Sequence, residues 1–404
     1  MRSVWCALFV LAGCTERLPV LERPPEPPPS EKPCTCGNNE LCAVDRCVNK
    51  SELTRLSVGV RHACRIDDGI LACWGENRQG QLGLGDSNER MSPTRVGDGS
   101  SWLEVAAAEE HTCAIAAPGR LYCWGNNRSG QLGTGEAAGQ QNAPTRVASV
   151  YDDFEHVFAG GDSTCAFRGG GTLYCWGATG ELLAGTGDIG TPEVVDEPVI
   201  VLAGSKFTEV SLGSDHACAV RDDGALLCWG QNVDGQLGIG MASDMTKQPT
   251  EVGNDTDWEH VAAGQHHTCG IRGGDLYCWG RGDSGELGIP NRRRNSALSP
   301  ARVTDMGGWE DIAVSAMHSC AIAANTRVWC WGRNSEGQLG MTPSNPVLQP
   351  TQVAMMRFSR IGCGGTFTCG VNTGQTLLCW GANDEGQLGT GDHVPQSTPT
   401  AVDD

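Results

Sequence analysis

The chain has 404 residues, a formal net charge of −19 and 56 glycines. Such an acidic chain is not expected to bind nucleic acid, whose phosphates require a basic face. Long apolar runs are few and no segment of note shows helical periodicity, so the body of the chain is predicted to be all-β.

Residues 1–13 have the composition of an export signal. A short positive start precedes the apolar stretch from Val4 to Leu11, which is too short to span a bilayer. Residues 11–14 resemble the lipobox of bacterial lipoproteins, in which the cysteine, here Cys14, is acylated and becomes the first residue. Because Thr15 rather than Asp follows it, the resemblance implies an anchor at the outer membrane or cell surface. A conventional cleavage site with a coincidental cysteine is the alternative.

Residues 14–33 are predicted to be a lipid-anchored linker. Seven prolines and several charged residues lie between Pro19 and Pro33. This composition is typical of a semi-rigid, partly extended spacer. We therefore expect it to hold the following domain away from the membrane.

A small cysteine-rich element, residues 34–50, comes next. Its cysteines are Cys34, Cys36, Cys42 and Cys47. Four cysteines can form two disulfides in three connectivities, and a zinc ion held by four thiolates is the alternative. Export to an oxidising compartment favours the disulfides.

Residues 51–404 contain a unit that repeats seven times. In each unit a cysteine is followed nine or ten residues later by Cys-Trp-Gly, and successive second cysteines lie 49 to 53 residues apart. A period in this range is typical of propellers, solenoids and arrays. The pairs are Cys64 and Cys73, Cys113 and Cys123, Cys165 and Cys175, Cys218 and Cys228, Cys269 and Cys278, Cys320 and Cys330, and Cys369 and Cys379.

Each unit contains four predicted strands. The first begins with a bulky residue and reaches an aliphatic one three positions later, as from Trp102 to Val105. The paired cysteines lie on the second and third strands. A glycine-rich turn with Gln-Leu-Gly follows, as in residues 127–135, and a Pro-Thr-x-Val stretch such as residues 144–147 forms the fourth strand.

The paired cysteines are predicted to form seven disulfides within hairpins. Cys64 and Cys73 flank an Asp-Gly pair that suits a type I′ turn, so the two cysteines face each other across the hairpin. Five units have a histidine two residues before the first cysteine, and a metal site is the alternative. Ser163 and Phe367 replace this histidine in two units, which favours disulfides and structural histidines. The five are His62, His111, His216, His267 and His318.

Other candidate site residues are few. Cys363 has no partner in the repeat and is predicted to be a buried, inert thiol. The basic cluster Arg292, Arg293 and Arg294 lies in a polar loop; a solvated loop tip is the simplest interpretation, and contact with an acidic partner is the alternative. Isolated loop carboxylates are expected to face water rather than bind calcium. No metal and no cofactor are expected.

The segment from Leu121 to Gly135, Leu-Tyr-Cys-Trp-Gly-Asn-Asn-Arg-Ser-Gly-Gln-Leu-Gly-Thr-Gly, resembles the repeat of the regulator of chromosome condensation family. Similar segments begin at Trp74, Trp229, Trp331 and Trp380, with weaker copies at Trp176 and Trp279. The resemblance extends from about Leu53 to Val402 and implies a seven-bladed β-propeller with four-stranded blades.

The ends of the repeat region predict how the propeller closes. The first unit lacks a preceding Pro-Thr-x-Val strand, while such a stretch, Pro399 to Val402, lies two residues before the C-terminal Asp404. We predict that this C-terminal strand completes the first blade, because a closed ring leaves no exposed edge. A solenoid would instead need capping repeats at both ends.

The sequence contains no nucleophile elbow, phosphate loop, zinc-protease motif or paired-carboxylate constellation, so an enzyme is not expected. We expect an envelope-anchored, monomeric binding or scaffold propeller that engages a protein or glycan partner through loops on one face. Its membrane contact would be the lipid anchor only. The resemblance implies guanine nucleotide exchange as an alternative, although an exported chain is separated from cytosolic GTPases. Inhibition of an extracellular enzyme such as a β-lactamase is a further alternative.

Overall fold

The computed structural model describes residues 40–43, 46–49, 55–99, 101–149, 151–178, 194–289 and 296–403. All regular secondary structure in these ranges is β-strand, as predicted. In these ranges no helix has the length and apolar character needed to cross a membrane.

Seven four-stranded antiparallel blades follow one another along the described chain. The first comprises β3 (Arg55–Val58), β4 (His62–Asp67), β5 (Ile70–Gly75) and β6 (Arg90–Arg95). The second comprises β7 (Trp102–Ala107), β8 (His111–Ala116), β9 (Arg120–Asn126) and β10 (Gln140–Arg146). The third comprises β11 (Phe154–Gly160), β12 (Ser163–Arg168), β13 (Thr172–Ala178) and β14 (Val194–Ile200).

The fourth blade comprises β15 (Phe207–Leu212), β16 (His216–Arg221), β17 (Leu226–Asn232) and β18 (Ser243–Glu251). The fifth comprises β19 (Trp258–Ala263), β20 (His267–Arg272), β21 (Asp275–Gly280) and β22 (Ala297–Arg302). The sixth comprises β23 (Trp309–Val314), β24 (His318–Ala323), β25 (Arg327–Asn334) and the first part of β26 (Ser344–Cys363). The seventh comprises the rest of β26, β27 (Phe367–Asn372), β28 (Leu377–Gly381) and β29 (Gln396–Ala401).

The core lies between the blades, around their second and third strands. All six residues of β8 are buried, whereas β10 at the outer edge of the same blade has no buried residue. The tryptophans of the seven Cys-Trp-Gly motifs are fully buried. This gradient arises because each sheet packs both faces of its middle strands against neighbouring blades.

The propeller closes differently from the prediction. Strand β29 pairs with β28 in the seventh blade, and the first blade has four strands of its own, so the prediction that the C-terminal strand completes the first blade is wrong. In the first blade the loop after Cys-Trp-Gly, residues 76–89, returns the fourth strand to its own blade, which makes local pairing easier than exchange. Contacts between complete blades close the ring: Trp74 Nε1 donates to the Gln387 carbonyl at 3.0 Å.

A two-stranded sheet precedes the propeller. Strands β1 (Glu40–Ala43) and β2 (Arg46–Asn49) pair antiparallel, with Cys42 opposite Cys47 in the register. Cys42 is disulfide-bonded, which argues against the zinc alternative at this residue. Ala43 packs against the apolar cluster of the second and third blades. Cys34 and Cys36 lie outside the described residues.

Candidate functional site

The seven predicted cysteine pairs form disulfides in the structure. Each joins directly opposed residues of a blade's second and third strands, as Cys64 and Cys73 do, and all fourteen cysteines are buried. Their sulfurs are bonded to each other and are not metal ligands. The disulfides hold together the hairpins that carry the repeated histidine and tryptophan.

The five repeated histidines connect neighbouring blades. His62 Nε2 lies 2.8 Å from Thr112 Oγ1 in the next blade, and the Thr112 hydroxyl donates to the Gln81 carbonyl at 2.8 Å. Because the carbonyl takes the hydroxyl hydrogen, His62 must donate from Nε2. The same contact joins His111 to Thr164, His216 to Thr268, His267 to Ser319 and His318 to Thr368.

Burial keeps these imidazoles neutral. It lowers the pKa of His62 to about 4. It lowers the pKa of the other four to about 3, with smaller contributions from neighbouring histidines in three of them. Neutral, donor-oriented imidazoles fit the predicted structural role.

The Gln-Leu-Gly motif completes the same joint between blades. The Gln81 carbonyl also accepts a hydrogen bond from Trp124 Nε1 of the next blade at 2.9 Å. Gly83, at a φ of 72°, lies against this ring, where an added Cβ would come within 2.7 Å of Nε1. Glycine is therefore required here both for its backbone conformation and for its size.

We call joint the contact between two blades that is made by the histidine of one blade and the hydroxyl residue of the next. At two joints both of these residues are replaced. Where Ser163 replaces the histidine, the next blade has Ala217 in place of the hydroxyl residue. Where Phe367 replaces it, the next blade has Ala63. The histidine and the hydroxyl are thus absent together, which indicates that they act as a pair. These repeated residues are joints between blades and are not a ligand site.

A central cavity of about 200 Å³ runs between the first strands of the blades. The turns that follow these strands line it with mainly Gly, Ala and Val, and Glu109 is the one charged residue of the lining. Backbone hydrogen bonds link successive turns, as from Val60 N to the Ala108 carbonyl at 3.1 Å. The lining presents few side-chain groups that could orient a cofactor.

The two sides of the propeller carry different loops. We call loop face the side with the turns between first and second strands and the loops between third and fourth strands, residues 59–61 and 76–89 in the first blade. The opposite side, with residues 67–69 and 96–99 of that blade, is the hairpin face. Antiparallel strand order places the equivalent loops of every blade on the same side.

Carboxylates gather on the loop face at the mouth of the cavity. This acidic arc comprises Glu109, Glu110, Asp162 and Asp215. Burial and then the neighbouring carboxylates Asp162, Glu110 and Asp215 raise the pKa of Glu109. Gln131 Nε2 donates to Asp162 at 2.7 Å, and Asn126 Nδ2 donates to Glu110 at 2.8 Å, so neutral amides hold two members in place.

Two basic side chains of the loop face at the ring closure, Arg61 and Arg78, are paired internally. Glu385 Oε1 lies 3.0 Å from Arg78 and 3.5 Å from Arg61, which joins the seventh blade to the first. In contrast, no Lys or Arg in the described ranges lies within 4.0 Å of the Glu109, Glu110 or Asp162 carboxylates. The acidic arc therefore carries net negative charge toward solvent.

Of the other predicted site residues, the structure describes Cys363. It is a free, buried thiol beside the cavity, and burial raises its pKa far above the ordinary range. Its Sγ lies within 4.8 Å of ligand atoms of His318 and Cys320, but Cys320 is bonded to Cys330. Cys14 and the basic cluster at residues 292–294 lie outside the described residues.

The disulfide-linked hairpins, the buried tryptophans and the Gln-Leu-Gly joints define a seven-bladed propeller of the regulator of chromosome condensation class, which confirms the predicted fold. The family model for the regulator of chromosome condensation (RCC1) repeat matches residues 68–115, 118–167, 223–271, 273–322, 325–371 and 376–404. A second model of this repeat matches residues 104–131, 207–236, 309–338 and 358–387. The chain belongs to this family.

Several characterised proteins are similar over most of the chain. The ultraviolet-B receptor UVR8 of Arabidopsis thaliana is 29% identical over 332 residues, which cover 78% of this chain and 73% of the receptor. The mitochondrial RCC1 domain-containing protein RUG3 of Arabidopsis thaliana is 31% identical, over 73% of this chain and 56% of that protein. The secretion-regulating guanine nucleotide exchange factor of Bos taurus is 27% identical, over 77% of this chain and 74% of that protein.

Solved structures share the fold at low sequence identity. Prp20p from Saccharomyces cerevisiae has a TM-score of 0.74 and 20% identity, covering 88% of this chain and 90% of that one. Human WBSCR16 has a TM-score of 0.71 and 19% identity, covering 83% of this chain and 94% of that one. These similarities support the architecture and do not assign a partner.

Proposed function

We propose that this chain is a non-catalytic propeller that binds a protein partner through the acidic arc on its loop face. The observation that carries the proposal is the concentration of Glu109, Glu110 and Asp162 around the cavity mouth, where no Lys or Arg of the described ranges lies within 4.0 Å of their carboxylates. The loops that hold them are fixed by joints between blades. Charged side chains on a rigid scaffold favour specific recognition over catalysis.

The chemistry of the arc favours a basic partner surface. Complementary charge accelerates encounter and fixes the orientation of two proteins. The Prp20p structure is described together with binding to Gsp1p and histones, so a propeller of this fold does engage protein partners. For this chain, the partner and its basic character are part of our proposal.

The location of the protein is also a proposal. The export signal and the lipobox ending at Cys14 support an envelope lipoprotein whose propeller is displayed outside the cytoplasm. Seven buried disulfides fit an oxidising compartment. Partners are therefore to be sought in the envelope.

A capture experiment with charge variants tests the binding face. The purified chain, immobilised, is exposed to envelope extract in three forms: wild type, Glu109→Gln with Glu110→Gln and Asp162→Asn, and a control with three substitutions on the hairpin face. The control changes are Asp68→Asn, Asp98→Asn and Asp305→Asn, which remove the same charge from exposed positions. We expect the arc variant alone to lose a partner that wild type retains. Equal capture by all three forms would overturn the proposal.

Guanine nucleotide exchange is the second candidate, favoured by the similarity to the bovine exchange factor. An exchange factor would accelerate release of a fluorescent guanine nucleotide from a small GTPase, whereas a binding scaffold would leave the release rate unchanged. The same assay with the arc variant shows whether any acceleration depends on the loop face.

A further inference from the structure

A ring of alternating charge runs around the first strands of the seven blades. It occupies one equivalent position per blade, directly opposite the residue two places after the first disulfide cysteine. In blade order the residues are Arg55, Glu104, His156, Glu209, His260, Asp311 and Arg360. Basic and acidic side chains alternate through six steps. Because seven is odd, the seventh step brings Arg360 beside Arg55.

Carboxylates of the ring bridge neighbouring blades. Glu104 Oε2 lies 2.9 Å from His156 Nδ1 and its Oε1 accepts a hydrogen bond from Val157 N at 3.2 Å. Glu209 makes the same pair of contacts with His260 and Val261, at 3.1 and 3.3 Å. Hydrogen bonding to the glutamate raises the pKa of each histidine. At these two gaps a carboxylate therefore bridges to a basic side chain of the next blade.

The gap between the seventh and first blades lacks such a carboxylate. The seventh blade has Arg360 at the ring position and therefore offers no acid to the first blade. The acid of the sixth blade, Asp311, is one carbon shorter than glutamate and accepts a hydrogen bond from Ile312 N in its own strand at 2.9 Å. Within the described ranges no carboxylate lies within 4.0 Å of the Arg360 or Arg55 guanidinium, although most other arginines of these ranges have one.

The two arginines are close enough to affect each other and are open to ligand. Partial burial of the guanidinium and then Arg55 lower the pKa of Arg360, and Asp311 opposes them by raising it. The strands that carry them are in contact, since a Cβ added at Gly362 would lie 2.6 Å from Val58 Cγ2. Arg360 is exposed and Arg55 is half-buried. Two neighbouring like charges without a carboxylate in direct contact destabilise the folded state, and a bound anion would relieve this.

We propose that Arg55 and Arg360 form a carboxylate-binding site between the seventh and first blades. The rest of the ring supplies the template, because a carboxylate occupies the equivalent gap after Glu104 and Glu209. Guanidinium groups bind carboxylates through paired, charge-assisted hydrogen bonds. The ligand is a small organic acid or the carboxylate of a partner chain. The site is separate from the acidic arc and does not depend on the proposed function.

Thermal unfolding of the full-length chain tests the site without an identified partner. The melting temperature is measured in carboxylate-free buffer while chloride is replaced by acetate or citrate at constant ionic strength. We expect a saturable rise with either carboxylate, because a ligand that binds the folded state stabilises it. Equal melting temperatures in chloride and carboxylate would overturn the proposal.

Variants assign the effect to the ring. Arg55→Gln and Arg360→Gln should each weaken the carboxylate response at least tenfold, and each should be at least as stable as wild type without carboxylate, because the repulsion is removed. Arg357→Gln is the matched control, since Arg357 lies on the same strand, is exposed, and is outside the ring. A control that loses as much as the ring variants would contradict the site.

Spectroscopy of the wild-type chain tests the site without relying on variants, which matters if an arginine variant fails to fold. Carboxylate should shift two arginine Nε signals in the ¹⁵N spectrum, and no shift at saturating citrate would overturn the proposal. A neutral peptide with a free C-terminus, compared with its amidated form, distinguishes the sources. Binding of the free form more tightly than citrate would assign the site to a partner chain, and the reverse order would assign it to a small acid.

Discussion

The histidine that begins five of the seven second strands needs its neutral form, because its Nε2 donates to a hydroxyl whose own hydrogen is donated to a backbone carbonyl. In the unfolded chain the histidine pKa is near 6.5, and in the folded chain burial lowers it to about 4 or about 3. Unfolding between these values therefore takes up protons, so the free energy of unfolding falls as pH falls. The expected loss is about 1 kcal/mol per pH unit for each histidine.

Carboxyl groups whose pKa is raised in the folded chain oppose this trend, and Glu286 and Asp311 show the largest shifts. Burial raises the pKa of Glu286 to about 7 and that of Asp311 to about 6, so the folded state holds their protons more tightly than the unfolded state. Their stabilising effect is fully present at low pH and is lost as pH rises through these values. The free energy of unfolding consequently depends less steeply on pH than five buried histidines alone would give. Variants that change a single joint are needed to isolate the contribution of one histidine.

Replacing one joint by the natural histidine-free version isolates its contribution. The double variant His111→Phe with Thr164→Ala reproduces the Phe367 and Ala63 arrangement, and the Gln131 carbonyl keeps its bond from Trp176. We expect the number of protons taken up on unfolding between pH 6.5 and 4, obtained from the pH dependence of the free energy of unfolding, to decrease by one. Denaturant unfolding at several pH values measures this slope.

A surface histidine provides the control for this prediction. His393 is largely exposed and lies 3.3 Å from Glu89, outside the joints between blades. His393→Gln should leave the slope close to that of wild type. An unchanged slope in the double variant would show that the buried histidine is not the titrating group.

At the scale of the strand and the blade, sequence spacing predicted what is local. The cysteine pairs, the hairpin turns and the four strands per unit depend on contacts within about 50 residues. They could be predicted because the same residue types recur at the same spacing in each unit. Closure was mispredicted because the Pro-Thr stretch was assigned to the blade that follows it, whereas β29 pairs with β28. Pairing within a unit and pairing between units leave the same pattern of residues along the chain.

The candidate site was less predictable than the fold. The acidic arc is assembled from turns of three different blades, and the charge ring has one member per repeat with changing residue type. Neither forms a motif along the chain. Aligning the seven units and comparing the charge at each position would have revealed the ring, because Glu104 and Glu209 occupy the same position as His156 and His260.

The stability of the joint between the seventh and first blades is predicted to depend more on its tryptophan, Trp74, than the stability of the next joint depends on Trp124. The Gln387 carbonyl accepts from Trp74 Nε1, and the neighbouring Ala63 has no hydroxyl to replace it. At the next joint the Gln81 carbonyl has two donors, Trp124 and Thr112. Trp74→Phe should therefore reduce the free energy of unfolding by about 1 to 3 kcal/mol more than Trp124→Phe.

Equilibrium unfolding in denaturant compares these two variants directly. Both substitutions remove the same atoms from fully buried positions, so the packing losses are matched. Equal destabilisation would mean that the joint between the seventh and first blades has another donor. A larger loss in Trp124→Phe would contradict the closure described here.

For the molecule as a whole, rigidity and anchoring are separate properties. The propeller is stabilised by disulfides and by repeated joints, and the charge pattern divides it into an acidic loop face and a ring of alternating charge. A rigid binding module acts at a membrane only if something attaches it there. The described residues contain no helix that could span a membrane. The proposed attachment is the acylation of Cys14 in the lipobox-like segment.

Acylation of Cys14 makes a direct prediction. Wild type should incorporate a clickable fatty acid and sediment with membranes, while Cys14→Ser should lose the label and move to the soluble fraction, since lipid chains supply the binding energy. Cys6→Ser is the matched control, because Cys6 lies in the same signal segment but outside the lipobox. If wild type takes no label and Cys14→Ser stays with the membrane, the lipobox interpretation is wrong and another part of the chain holds it there.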